Sequence, residues 1–284
     1  MRIRAAVAVV SGALALSALT MPASQAAPSH ARPGGGHLGF TLDGHTVAPQ
    51  AKRAAAASVP TIDKVVVNAG APTVVGAAAL KTVTVSVTAS DDSGISDAST
   101  FLWIGADVND PDAFGFDQNE EAASCVAASA TTSTCTLTVS LDPGWMLNTD
   151  AQTWHASAAV LANDGDIVQD TVAGSTVVQR LAKLTADVTP EPPTAGSTVT
   201  ITGLLTRANW ETRKYEGYAG RSVRLQFRPP TTTTYANVKG IKSTTTGSLK
   251  TTSTATVTGF WRFDYLGDAV TNPISSPADG VTVK

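Results

Sequence analysis

Three observations predict an all-β protein. Residues 81–89, KTVTVSVTA, alternate strictly: Val83, Val85, Val87 and Ala89 point one way, and Thr82, Thr84, Ser86 and Thr88 the other. Period two with β-branched residues marks a half-buried strand. Similar segments recur along the chain, with turn signals such as DDSG, DPGW and NDGD between them. No stretch carries the apolar period of an amphipathic helix.

The elements follow in order from the N-terminus. Arg2 and Arg4 form a basic head, residues 5–19 are mostly Ala, Val and Leu, and Ser24-Gln25-Ala26 puts small residues where a signal peptidase reads. This pattern predicts a secretory signal peptide over residues 1–26, cleaved before Ala27. No later apolar run approaches the roughly 20 residues that span a bilayer, so no transmembrane segment is expected after cleavage. The expected product is exported and soluble, either extracellular or associated with the cell envelope. Residues 27–59 are rich in Ala, Gly, Pro and His and predict a disordered spacer. His30, His37 and His45 lie in it, with no fold expected to fix them as metal ligands.

From residue 60 the segments IDKVVV, KTVTVSVTA, FLWIG, CTLTVS, TWHASAAVL and STVVQ follow one another. Short strands at this spacing predict a β-sandwich of immunoglobulin type over residues 60–179. Trp103 and Trp154 lie on predicted strands and are expected in its core; His155, on the opposite face from Trp154, is expected to be exposed. The two cysteines, Cys125 and Cys135, are ten positions apart across a Ser/Thr/Ala turn. In an exported chain that spacing predicts a disulfide across a hairpin or beside a strand. Closing so short a loop stabilises the fold by roughly 2–3 kcal/mol, mainly by restricting the unfolded chain.

A second series begins near Leu181. The Pro-rich TPEPPTAG reads as its linker, and STVTITGLLT, RSVRLQF, YANVKGIK, SLKTTSTATV, GFWRFDY and GVTVK read as its strands. They predict a second sandwich over residues 180–284, without cysteine or histidine. Each predicted sandwich is long enough to bury its own core.

Charge divides between them. Residues 60–179 hold 15 acids against Lys64 and Lys81, a balance of −13, while residues 180–284 hold 13 bases against 7 acids, a balance of +6. Such asymmetry predicts different partners for the two halves. The acids of the first half cluster at turns. Asp91 and Asp92 open DDSGISD; Asp107, Asn109, Asp110, Asp112 and Asp117 lie in DVNDPDAFGFDQNEE; Asp164 and Asp166 lie in NDGDIVQD. Calcium takes about six to eight oxygens, and turns converging at one end of a sandwich supply them. These nine residues are the candidate metal ligands. An EF-hand is excluded: counted from Asp107, position 5 is Pro111, position 6 is Asp112 and position 12 is Gln118. The alternative is that the acids are solvated charge that keeps the chain soluble.

Catalysis is not expected. His155 is the only histidine in a predicted folded region, and neither GxSxG nor HExxH occurs. Acids confined to polar turns offer no cleft for a catalytic pair.

In the basic half, RANWETRKYEGYAGR interleaves cations with aromatics. Trp210, Arg213, Tyr215, Tyr218 and Arg221 are the candidate ligand surface, for a glycan or an anionic cell-wall polymer. An ordinary loop whose aromatics pack on the sandwich edge has the same composition. Nucleic acid is not expected, since the segment carries no binding motif.

SVTASDDSGISD, ATTSTCTLTV, LTRANWETRKYEGYAGRSVRLQF and GFWRFDYLGD together carry a resemblance across most of residues 60–284. The chain resembles a group of secreted two-domain immunoglobulin-like proteins of high-GC Gram-positive bacteria. Such chains are often labelled calcium-binding proteins. The resemblance thus implies two tandem sandwiches and adds to the calcium expectation, but implies no particular ligand residues.

Overall fold

The computed structural model of the protein describes residues 38–47 and 59–284. The expected signal peptide, His30 and His37 lie outside the described residues. A short hairpin comes first, β1 (Phe40–Leu42) and β2 (His45–Val47). Ten strands follow: β3 (Thr61–Val67), β4 (Thr73–Val75), β5 (Lys81–Ser90), β6 (Ile95–Ser99), β7 (Phe101–Ile104), β8 (Phe114–Asp117), β9 (Ser124–Ala127), β10 (Thr132–Leu141), β11 (Thr153–Ala162) and β12 (Ile167–Arg180). The remaining ten are β13 (Ala182–Leu184), β14 (Asp187–Thr189), β15 (Ser197–Asn209), β16 (Lys214–Gly217), β17 (Ser222–Arg228), β18 (Ala236–Lys242), β19 (Ser248–Ala255), β20 (Gly259–Tyr265), β21 (Ile274–Ser275) and β22 (Asp279–Val281). No α-helix occurs among the described residues.

The sheets of the first sandwich run β3-β5-β10-β9 and β4-β12-β11-β7-β8, with β6 also on β11. Apart from the short β4, which pairs parallel with β12, this is the immunoglobulin arrangement: first, second, fifth and fourth strands in one sheet, and the last two beside the third in the other. Val83, Val85, Val87 and Ala89 of β5 are buried against Leu137, Val139 and Leu141 of β10 and against Trp154. The alternate Thr and Ser residues stay on the outer face, where Thr82 pairs with Ser140 and Thr88 with Thr134 through their hydroxyls. Cys125 and Cys135 stand opposite each other on β9 and β10 and form the disulfide that their spacing predicts.

The second sandwich packs a sheet of β13, β14, β16 and β19 around the long β15 against a sheet ordered β18-β17-β20 with β21 and β22. Its core holds Ile201, Leu205, Leu225, Leu249 and Phe263.

Three features differ from the sequence expectations. First, residues 38–47, expected within the disordered spacer, form the β1–β2 hairpin on the outside of the first sandwich. Leu38, Phe40 and Leu42 are buried against Phe101, Trp103 and Ala159, and Phe40 and Phe101 rings stand 4.9 Å apart. The turn is Asp43-Gly44 with φ of 47° and 72°, the conformation that two-residue hairpins require and Gly tolerates. The Asp43 N–H donates to Asp97 Oδ2 and the Thr41 N–H to Ser99 Oγ, which tie the hairpin to β6. Second, this cover explains why β7 is buried at every position, Phe101 to Ile104: Leu102 and Ile104 face the inner core, and Phe101 and Trp103 face the hairpin. His155, expected exposed, is half-buried and lies 4.7 Å from Trp103, ring to ring. Third, TPEPPTAG does not link the sandwiches but joins β14 to β15 inside the second. The crossing is Leu181 alone, between β12 and β13; its N–H donates to Val75 O and its carbonyl accepts the Ala208 N–H.

Candidate functional site

The β5–β6 turn and the β11–β12 turn meet at one end of the first sandwich. The Asn163 N–H donates to Gly94 O at 3.0 Å, and Asn163 Nδ2 donates to Ser93 O at 2.7 Å. Gly94 has φ +89°, and a Cβ there would lie 2.8 Å from Asn163 Nδ2, so glycine is what lets the turns close. Closure brings carboxylate oxygens of Asp91, Asp92 and Asp164 within 4.8 Å of one another. Asp92 and Asp164 are exposed, whereas Asp91 is 8% exposed. The Ser93 hydroxyl and N–H donate to Asp91 Oδ1 at 2.6 and 2.9 Å. These bonds hold the Asp91 carboxyl below the usual carboxylate range. Asp166 stands beside this group without joining it; its N–H donates to Asp164 Oδ1.

The other predicted ligands lie elsewhere. Because β7 runs antiparallel to β11, with Trp103 opposite His155, the chain after Ile104 emerges at the far end of the sheet. β11 is ten residues long, so Asp107, Asn109, Asp110 and Asp112 lie roughly 30 Å from the Asp91 end. They form two successive turns: the Asn109 N–H donates to Asp107 Oδ1 and the Asp112 N–H to Asp110 Oδ1. Asp117 ends β8 opposite Phe101, in an exposed position. The rest of DVNDPDAFGFDQNEE does structural duty. Gln118 Oε1 accepts the Ser99 hydroxyl and the Thr100 N–H, and the Glu120 carboxylate accepts the Thr138 N–H and hydroxyl. The stretch is therefore a turn, a strand and a sheet-crossing clamp, not one metal loop.

The predicted ligand surface of the basic half is mostly a joint between the sandwiches. Trp210 is 1% exposed and belongs to the hydrophobic core of the first sandwich, although β15 of the second carries it there. Its Nε1–H donates to Gly76 O at 2.9 Å and its backbone N–H to Asn148 Oδ1 at 3.1 Å. Tyr215 packs on the same core beneath Lys183, whose Nζ sits 3.6 Å from the ring centroid. Arg213 reaches across to Gly144 O. Tyr218 is 4% exposed and lies between the guanidinium groups of Arg207 and Arg221, at 3.9 and 4.3 Å. Its hydroxyl donates to Asp268, which also accepts the Tyr265 hydroxyl and pairs with Arg221 at 3.5 Å. Burial pushes the Asp268 carboxyl up. The two phenols, the Val270 N–H and Arg221 outweigh burial and hold it below its ordinary range.

Sequence reasoning missed the partners that make this joint. Arg180 is 6% exposed and donates from Nε to Ala208 O at 2.6 Å; burial and the nearby Arg207 lower its pKa to about 10. Asn148 holds both Trp210 and Asn209. Neither carries a signal in its own neighbourhood of sequence, because both act only across the crossing. Among the described residues no helix is long and apolar enough to cross a membrane.

Residues 68–162, a stretch inside the first sandwich, match DUF5707, a family of unknown function. No curated protein matches the chain. Three solved structures overlap it loosely. A red sea bream transglutaminase is 10% identical, with 78% of this chain and 31% of that one covered and a TM-score of 0.29. The D0-D1 domain of intimin is 14% identical, with 79% and 100% covered and a TM-score of 0.25. A Salmonella alpha-2-macroglobulin is 10% identical, with 82% and 16% covered and a TM-score of 0.31. The chain thus spans about a third of the length of the transglutaminase.

Proposed function

We propose that the protein is an exported, non-catalytic pair of immunoglobulin-like sandwiches that binds calcium at the Asp91–Asp92–Asp164 end of the first. The observation that carries this reading is the convergence of three carboxylates from two turns within 4.8 Å. Like charges so close repel one another, and a divalent cation relieves that repulsion. The donors are oxygens alone, which suits a hard cation and not a thiolate- or imidazole-seeking metal. Asp92 and Asp164 are exposed side chains and can adjust to calcium's loose geometry, while magnesium demands a near-ideal octahedron. Water and turn carbonyls complete the shell. Two exposed ligands of three place the affinity in the range of extracellular modules, a Kd of roughly 0.1–1 mM. A general acid needs a carboxyl held up near working pH, whereas hydrogen bonds from Ser93 hold Asp91 down. Export rests on the basic head, apolar run and small-residue cleavage site of residues 1–26.

Isothermal titration of the metal-stripped protein tests the reading. Calcium should give a saturable heat that magnesium does not match, and D92N/D164N should abolish it. An equal heat from magnesium, or an undiminished one in the double variant, would overturn it.

A further inference from the structure

The second sandwich has an outward sheet face on which two arginines, among the described residues, form no ion pair, although Arg262 lies close enough to Asp264 to help hold that carboxyl down. On adjacent antiparallel strands, Arg224 stands opposite Asp264, Gln226 opposite Arg262 and Arg228 opposite Phe260. Cross-strand neighbours share a face, and it is the outer one, because Leu225 and Phe263 between them fill the core. Arg224 is committed: its Nε and Nη2 both donate to Asp264 Oδ2, and Asp264 Oδ1 accepts the Ser275 hydroxyl. Arg228 and Arg262 are not committed in this way.

Both guanidinium groups lie against one ring. Arg262 is 3.8 Å and Arg228 5.3 Å from the centroid of Tyr235, and Arg228 is also 4.0 Å from that of Phe260. Each is steadied by one neutral acceptor, Arg262 Nε by Gln226 Oε1 at 2.8 Å and Arg228 Nη1 by Thr232 O at 2.9 Å. Among the described residues neither makes an ion pair. Stacking fixes the plane of a guanidinium and leaves its other N–H groups along an open edge, the geometry that grips an oxyanion in a fork. Two such cations around one ring repel each other, and an anion bridging them removes that repulsion. The loop between β17 and β18, PPTTTTY, contributes no acid. Lys242, opposite Ser222 on the same face, adds a cation further along the strand. Ser222 and Arg228 are the two ends of β17, so the cationic track is roughly 20 Å long. An open track suits an extended chain with repeated charges better than a single small anion.

We propose that this face binds a linear polyanion through the free edges of Arg228 and Arg262, with Lys242 extending the track. The site is separate from the calcium site and does not depend on it. It also replaces Trp210, which the joint buries, and Tyr218, which the core of the second sandwich buries, as the place where the basic half meets an anionic partner.

The test is binding of the full chain to long-chain polyphosphate, dextran sulfate and polygalacturonate, with neutral dextran as blank. The three arms distinguish phosphate, sulfate and carboxylate as the preferred group. R228A/R262A should bind the preferred polymer roughly tenfold or more weakly with its melting temperature checked alongside. R228K/R262K keeps the charge but loses the fork, and should fall between the two. K214A/K250A removes the same charge from the opposite sheet and should change binding by less than about twofold. Should the double alanine variant melt below the assay temperature, R262Q alone carries the comparison. The proposal is overturned if no polymer binds, if K214A/K250A weakens binding as much as R228A/R262A, or if R228K/R262K binds like the wild type. It is equally overturned if the arginines instead drive self-association against the acidic sandwich of a second copy, seen by sedimentation velocity without polymer.

Discussion

Trp210 makes the joint between the sandwiches a matter of energetics that can be measured. Replacing it with alanine removes a side chain that is 1% exposed from the core of the first sandwich, while the backbone carrying it belongs to the second. Truncating a buried Trp to Ala removes roughly 3–5 kcal/mol, counting lost transfer and the cavity left behind. The Gly76 carbonyl also loses the indole donor, which adds about 1 kcal/mol if water does not replace it. For a folded unit of this size each kcal/mol shifts Tm by roughly 2–4 °C, so W210A should melt about 8–24 °C lower. The loss should fall on the coupling as well as on the total. Calorimetry of the wild type should show one transition, and W210A should show two, as the sandwiches unfold separately. The control is W145A, since Trp145 is 48% exposed and its removal should stay within about 0.5 kcal/mol. A W210A protein that keeps a single transition and its wild-type Tm would refute the reasoning.

Two further outcomes follow from the same structure. Asp268 is held below its ordinary range by Tyr218, Tyr265 and Arg221, so its contribution is full above about pH 4 and is lost as pH falls through its lower folded value. Urea melts should therefore show D268N less stable than wild type at pH 7, with the gap narrowing as pH falls below about 4; a gap independent of pH would contradict this. F40A should loosen the β1–β2 hairpin, because Phe40 is fully buried against Phe101, and should red-shift tryptophan emission as Trp103 gains solvent, an effect absent from H45A, whose side chain is exposed.

Much of the fold is legible in local pattern. Period two in KTVTVSVTA specifies which side chains of β5 are buried, and the spacing of Cys125 and Cys135 across a polar turn specifies their pairing. The hairpin at residues 38–47 was legible too. LGFTLDGHTV alternates Leu38, Phe40 and Leu42 and carries Asp43-Gly44 at its centre, a strong hairpin signal masked by the Ala, Gly and Pro around it. What local pattern does not carry is which end of a sandwich a turn occupies. Asp91 and Asp164 meet, and Asp107 does not join them, because of the antiparallel order of β7 and β11. The fate of Trp210 and Tyr218 was illegible for a related reason. An aromatic between cations looks the same whether it faces solvent, a second sandwich (Trp210) or the core of its own (Tyr218), and the partner that decides, Gly76 for Trp210, is 134 positions away.

The most direct test of the calcium reading is a set of thermal melts of the metal-stripped protein, of D92N/D164N and of D110N/D112N, each with calcium, with magnesium and with neither at fixed ionic strength. Calcium at about 100 times its Kd should stabilise the wild type by roughly 2.7 kcal/mol. That rise should be selective over magnesium, survive in D110N/D112N and vanish in D92N/D164N. A rise that magnesium matches, that is absent from the wild type, or that D110N/D112N loses while D92N/D164N keeps it, would contradict a calcium site built from Asp91, Asp92 and Asp164.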